Sequence, residues 1–356
     1  MLDAIEWETC WLEPRRDPAL ERALRDEHGM VPPSAAYFSA SPWLAHSMLA
    51  LEMVERLHVS AEIADLVGLV VAEDNSCRYC YAMQRTMMRL QGFGTARIRE
   101  LEASRFAGSL PPADAAALEL ARRVSRGDPR AAEERDRLLG LGWSADAVGE
   151  LAFLAAVHVY LNRISTLPAL PVARVERVSR LPGLGLVAPI ARRLLRSRPR
   201  RSRPLEPAEC AGPWAYLVES LARLPAGRVL RRVLDEAFAS PVLPRQTKLL
   251  VFAVVARTLG AAASEREAVR LLREGGIDPD ALAAALRHLH APGLDPVDAA
   301  VVPFARETVR YRPAEVQRQA RRLLPLLGAE RLVELVGVAA LANAVCRLGA
   351  AASAPA

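Results

Sequence analysis

The stretch Asp65-LVGLVVAEDNSCRYCYAMQRTMMRLQGFG, ending at Gly94, lies over Lys248-LLVFAVVARTLGAAASEREAVRLLREGGI, ending at Ile277, at an offset of 248 − 65 = 183. Two further blocks follow in the same order. Asp114-AAALELARRVSRGDP matches Asp298-AAVVPFARETVRYRP, and Glu150-LAFLAAVHVYLNRIS matches Glu334-LVGVAALANAVCRLG, both at 184. A single inserted residue between blocks accounts for the change. An Ala/Leu/Arg-rich composition alone would not align Pro129 with Pro313 or Arg163 with Arg347. The pattern predicts a tandem duplication, which must be recognised before any element is read singly.

Each copy reads as helices. Ala, Leu and Arg dominate, short alternating β-branched runs are scarce, and the 26 prolines fall where helices should begin. In the first copy the pattern predicts helices over residues 18–27, 43–56, 60–73, 77–91, 95–103, 112–125, 130–139 and 145–165. Ser60 and Ser144 serve as N-caps, Pro112 as a first-turn proline, and Gly92 and Gly94 as the stop after the cysteine helix. An all-α protein is expected, with repeats over residues 1–190 and 205–356. The Arg/Pro/Ser-rich segment 191–204 joins them as a linker. Before it, Pro182-GLGLVAPIARRLLR reads as an amphipathic basic helix that packs across the repeats, a membrane surface or acidic partner being the other use of such a face.

Charge and hydropathy exclude several classes. The net charge of +6 comes from 47 basic residues of which only Lys248 is a lysine. The arginines are interleaved with acids except in the run Arg192 to Arg203, which has no aromatic residues for base stacking, so no nucleic-acid partner is expected. Charges stand where a signal peptide needs an apolar core, and no uncharged apolar stretch reaches about 18 residues, so a cytoplasmic protein without a membrane span is expected.

Five cysteines are too few for a disulfide framework, which makes the close pair Cys77-x-x-Cys80 the chemical centre of the chain. The polar run Glu73-Asp74-Asn75-Ser76 breaks one helix, and Asn75 or Ser76 can cap the next. Cys77 then falls in a first turn, where free N–H groups and the helix dipole favour a thiolate. Cys80 follows on the same face within one turn, close enough for a disulfide. Half a zinc site has the same spacing, but no second CxxC or HxxxH exists and Cys10, Cys210 and Cys346 stand alone, so no metal and no cofactor are expected. A pair of inert buried cysteines is the remaining alternative.

These residues resemble the carboxymuconolactone decarboxylase/alkylhydroperoxidase AhpD-like family. The family pattern is an acidic residue, eleven residues, Cys-x-x-Cys, three residues, a histidine and a closing glycine, with an Asn-Arg pair on a later helix. Asp65, Cys77, Cys80, Gly92 and Asn162-Arg163 match it. The resemblance implies two AhpD-like helical bundles and dithiol reduction of a peroxide or disulfide substrate by an unidentified thiol reductant. Cys80 would be peroxidatic, Cys77 resolving, and Asp65 would stand where the family's Glu takes part in proton transfer. Gln84 replaces the family histidine and cannot shuttle a proton. His158, four residues before Asn162, is the candidate substitute base or else a core histidine, and Tyr79 and Tyr81 flank Cys80 as hydrogen-bond donors or packing. The second copy has Gly260, Ala263 and Glu267 at the places of Cys77, Cys80 and Gln84, so it is expected to supply a partner surface. The resemblance also implies a homo-oligomer, a trimer imitating the family's hexamer. A non-catalytic scaffold or redox-sensing interaction protein is the competing expectation.

Overall fold

The computed structural model describes residues 5–103, 110–179, 181 and 203–352, and these form sixteen α-helices with no strand. In the first half they are α1 (Pro18–His28), α2 (Pro42–Glu52), α3 (Ala61–Asp74), α4 (Arg78–Leu90), α5 (Thr95–Ala103), α6 (Pro112–Arg126), α7 (Ala131–Gly140), α8 (Ala145–Thr166) and α9 (Ala173–Ser179). In the second half they are α10 (Ala215–Ser220), α11 (Pro225–Ala239), α12 (Arg245–Leu259), α13 (Ala262–Glu274), α14 (Pro279–His288), α15 (Pro296–Arg310) and α16 (Pro313–Ala352). The starts follow from side chains that satisfy orphaned N–H groups. Ser60 accepts from Ile63 N, Ser144 from Ala147 N, and Asp17 from Ala19 and Leu20 N. Proline opens α2, α6, α11, α14, α15 and α16, where its missing N–H costs nothing. The expected helix 43–56 stops early, at Glu52.

Element order and spacing recur between the halves. Helices α3, α4, α5 and α6 begin at 61, 78, 95 and 112, and α12, α13, α14 and α15 begin at 245, 262, 279 and 296, so each start lies 184 later (245 − 61, 262 − 78, 279 − 95, 296 − 112). This corrects the offset of 183 for the first block by one residue. The turn before α4 holds Ser76 in the left-handed region (φ 48°), and the turn before α13 holds Gly260 there (φ 68°). Cys77 and Ala261, one residue on, occupy the N-cap positions with the same φ of −80°. The counterparts of Cys77, Cys80 and Gln84 are therefore Ala261, Ser264 and Ala268, and that of Asp65 is Leu249.

The two halves share one core. Helix α8 packs along α16, which is two helical limbs joined at Gly328, whose φ 71°, ψ 168° is not helical. Among the described residues these are the two helices long and apolar enough to cross a membrane, and their apolar windows are 89% and 100% buried within the protein. Each accepts its neighbours through one buried carboxylate. Glu150 on α8 takes the backbone N–H groups of Leu57, His58 and Val59, at 2.7, 2.8 and 2.6 Å. Glu334 on α16 takes Lys248 Nζ at 2.8 Å and, from the first half, Ser41 Oγ at 2.7 Å and Trp43 Nε1 at 2.6 Å. The N-terminal strap is pinned by Trp7 and Trp11, whose indole N–H groups donate to the carbonyls of Leu170 and Leu167. The amphipathic segment beginning at Pro182 and nearly all of the basic linker fall outside the described residues, which resume at Arg203.

Candidate functional site

The site is built on the turn from α3 to α4. Left-handed Ser76 reverses the chain, and Cys77 itself takes the N-cap role expected of Asn75 or Ser76: its Sγ accepts the Cys80 N–H at 3.3 Å. Asn75 is used elsewhere, its Nδ2 donating to Val71 O and Ser125 Oγ at 2.9 Å each, while its Oδ1 accepts from Arg163 Nη1 at 3.0 Å. Both cysteines are free thiols and buried, Cys77 at 0% and Cys80 at 7% exposure. The Cys77 thiol points at the carbonyl of Asn162 (3.8 Å) and the Cys80 thiol at that of Leu161 (3.7 Å), consecutive residues near the end of α8. Burial pushes the Cys80 thiol well above its ordinary value, a direct side-chain interaction with Cys77 adds to this, and Ser165 works against it. The two sulfurs are thus aimed at consecutive carbonyls of one helix.

Arg163 lies behind the sulfurs. Burial lowers its guanidinium to about 10, which leaves it charged at neutral pH, and Cys77 is among the groups that act on it. Its guanidinium carbon sits 4.1 Å from the ring centre of Tyr311. The Tyr311 hydroxyl donates to Asn162 O at 3.2 Å and to Thr166 Oγ1. Tyr311 ends α15 in the left-handed region (φ 50°, ψ 70°), and its counterpart 184 residues earlier is Gly127, also left-handed (φ 67°, ψ 32°). A bulky residue in this region carries a backbone cost of about 1–3 kcal/mol that its surroundings must offset. A residue of the second half therefore completes the thiol site of the first.

The other expected residues spread along α4. Spacing places Cys77, Cys80, Gln84 and Gln91 on one face. A Cβ built on Gly68 of α3 would lie 2.7 Å from Gln84 Cδ and 2.8 Å from His158 Cε1, so Gln84 and His158 meet one turn below Cys80 across a glycine that leaves them room. Burial lowers His158 to about 4, with Arg56 adding to the effect, so it is neutral near pH 7. Asp65 does not reach the sulfurs. It accepts from Gln91 Nε2 at 2.9 Å, eleven residues beyond Cys80 on α4 and roughly 16 Å along the helix. Because α3 and α4 run antiparallel from the turn at Ser76, a residue near the start of α3 must meet the end of α4. Burial raises Asp65 to about 6, and its Oδ2 has no hydrogen-bond partner.

Tyr79 faces away from this line and helps to enclose a cavity of about 790 Å³ with Ser34, Met83, Thr86 and Leu170. Its phenol is raised by burial, and Cys80 and Glu52 contribute. Glu52, at the end of α2, keeps solvent contact yet is surrounded closely enough that desolvation raises its carboxyl, and it acts on Cys80 electrostatically. Tyr81 instead interacts with Glu102. Glu52, Ser165 and Tyr311 have no mark in the cysteine motif. Tyr311 alone left a signal, the replacement of Gly127 by tyrosine in otherwise matched blocks. No family model, no curated protein and no solved structure matches this chain.

Proposed function

We propose that the chain is a thiol-disulfide oxidoreductase built from two AhpD-like bundles, with Cys77 and Cys80 as its redox couple and a peroxide or disulfide as its substrate. The observation that carries this reading is the Cys80 N–H on Cys77 Sγ at a helix start, with the two side chains in direct interaction. Cys77 receives that N–H at the positive end of α4 and lies beside Arg163, the surroundings a sulfur anion needs. Burial keeps Cys80 as a thiol. This favours Cys77 as the attacking sulfur and Cys80 as the resolving one, the reverse of the order the resemblance implies. Cys77 would cleave the O–O bond of a peroxide, taking one oxygen as a sulfenic acid and releasing the alcohol or water. Cys80 would then displace hydroxide, forming the disulfide and water, and a thiol reductant of a reducing cytoplasm would restore the pair. The cavity beside Tyr79 would be the approach.

The missing family histidine at Gln84 leaves proton transfer to other groups. His158, beside Gln84, would take that role, and Asp65, bonded to Gln91 at the far end of α4, would not. Steady turnover of a hydroperoxide with dithiothreitol as donor, lost in Cys77→Ser and Cys80→Ser, is the expected result. Equal background rates for wild type and both variants would remove the peroxidase reading. One observation favours the second reading, a redox-sensing interaction protein: both sulfurs are buried. It predicts reversible disulfide formation without turnover.

A further inference from the structure

Away from the thiols, two histidines and two carboxylates converge where α1 and α2 of the first half meet α11 of the second. Glu27 and His28 end α1, closed by left-handed Gly29. His46 lies on α2, and Arg232 and Glu236 are one turn apart on α11. His46 Nδ1 stands 3.0 Å from Glu27 Oε2, and His28 Nε2 stands 3.7 Å from the same oxygen. The three ligand atoms lie within 4.8 Å of one another, and the imidazole rings are 5.8 Å apart at 53°. We propose that Glu27, His28 and His46 form a binding site for a zinc-class divalent cation, with Glu236 as fourth ligand, that ties α1 and α2 to α11.

Three arguments support the assignment. Donors around a tetrahedral zinc at about 2.0–2.1 Å from the metal stand about 3.3 Å from each other, and the two measured separations bracket that value. The surroundings are protected, with side-chain exposures of 3% for His28, 20% for His46 and 30% for Glu27. A second carboxylate stands close by: Glu236 Oε2 is buried with no hydrogen-bond partner, and both His46 and Glu27 act electrostatically on Glu236. Arg232 engages the other carboxylate oxygen, its Nη1 donating to Glu27 Oε1, an outer-shell contact of the kind that fixes a ligating carboxylate. Two imidazole nitrogens select zinc, cobalt, nickel or copper over magnesium and calcium. In the sequence the ligands come from three separate helices, with no HxxxH spacing to reveal them.

The site is independent of the redox reading, and cobalt(II) separates the two. Full-length protein stripped with a chelator is titrated with Co²⁺ in the visible range. One equivalent is expected to give the d–d bands of a tetrahedral N/O site without thiolate-to-cobalt charge transfer, and Zn²⁺ should bleach them. The bands should persist in a Cys77→Ser/Cys80→Ser variant. In His46→Ala and in the milder His28→Gln, each checked for helical circular dichroism, affinity should fall more than about 100-fold, beyond the usual loss of an outer-shell partner. No binding, charge-transfer bands lost with the cysteines, or unchanged affinity in whichever histidine variant folds would each overturn the proposal.

Discussion

The Cys77 thiol and the Tyr311 hydroxyl donate to the same carbonyl oxygen, that of Asn162, at 3.8 and 3.2 Å. Two donors share one acceptor, so a hydroxyl of the second half competes with a thiol of the first for one carbonyl oxygen. Tyr311→Phe removes the competing donor but keeps the ring over Arg163. Stability should drop by about 1 kcal/mol for the lost hydroxyl bonds, and peroxide-driven loss of free thiols should slow several-fold. Tyr311→Gly relieves the left-handed backbone, worth about 1 kcal/mol, but deletes a half-buried ring stacked on Arg163 that is worth roughly 2–3 kcal/mol, so packing wins and the variant should be destabilised in urea. A Tyr311→Phe protein that oxidises at the wild-type rate would detach the second half from the chemistry.

Lys248 and Glu334 form an ion pair with side chains 1% and 0% exposed. The pair is completed by Ser41, Trp43 and the carbonyls of Ala237 and Ser240. Lys248→Met strands a buried carboxylate and should cost about 3–5 kcal/mol, whereas adding Glu334→Gln to it should recover much of the loss. Denaturant midpoints for the double-mutant cycle measure both.

Asp65 and His158 give the protein opposite pH slopes. The folded-state value of Asp65, about 6 against an ordinary 3.8, means that the unfolded chain gives up its proton first as pH rises, so stability is lost between about pH 4 and 6. The full shift corresponds to about 3 kcal/mol, reduced toward 1 kcal/mol by solvent contact. Asp65→Asn should therefore stabilise the protein at pH 7 and make no difference at pH 4. His158 works the other way. With a folded value of about 4 against 6.5, its neutral form contributes stability above pH 6.5 that is lost as pH falls to 4, and His158→Asn should flatten that limb. Thermal midpoints from pH 4 to 8 for the two variants test both signs.

Gly68→Ala places a methyl 2.7 Å from Gln84 Cδ and 2.8 Å from His158 Cε1. Overpacking of this kind should cost about 1–3 kcal/mol and push both side chains off the α3 face, which nuclear magnetic resonance of the His158 ring protons can follow.

Much of the fold is legible in the sequence because caps and prolines are local signals. Ser60, Ser144 and Pro112 mark helix starts that the structure places within a residue. The one-residue error in repeat register has a physical cause: Gly260 was matched to a cysteine by spacing, but glycine stands there because the turn needs a left-handed residue, as Ser76 does in the first half. The candidate site was legible only where it is local. Cys77, Cys80 and Gln84 share a helix face by period alone. The distance of Asp65 from the sulfurs depends on α3 and α4 running antiparallel, and the presence of Tyr311 depends on the residue after α15 reaching the end of α8, neither of which any short window encodes. The Glu27, His28 and His46 cluster was invisible for the same reason.

The central claim is that the two sulfurs form and break a bond with each other. Counting accessible thiols in denatured protein after exposure to peroxide, then after dithiothreitol, tests it directly, with the linked peptides identified by mass. Five thiols should fall to three, with a Cys77–Cys80 crosslink and full recovery to five. Retention of all five thiols, or a crosslink through Cys10, Cys210 or Cys346 instead, would contradict it.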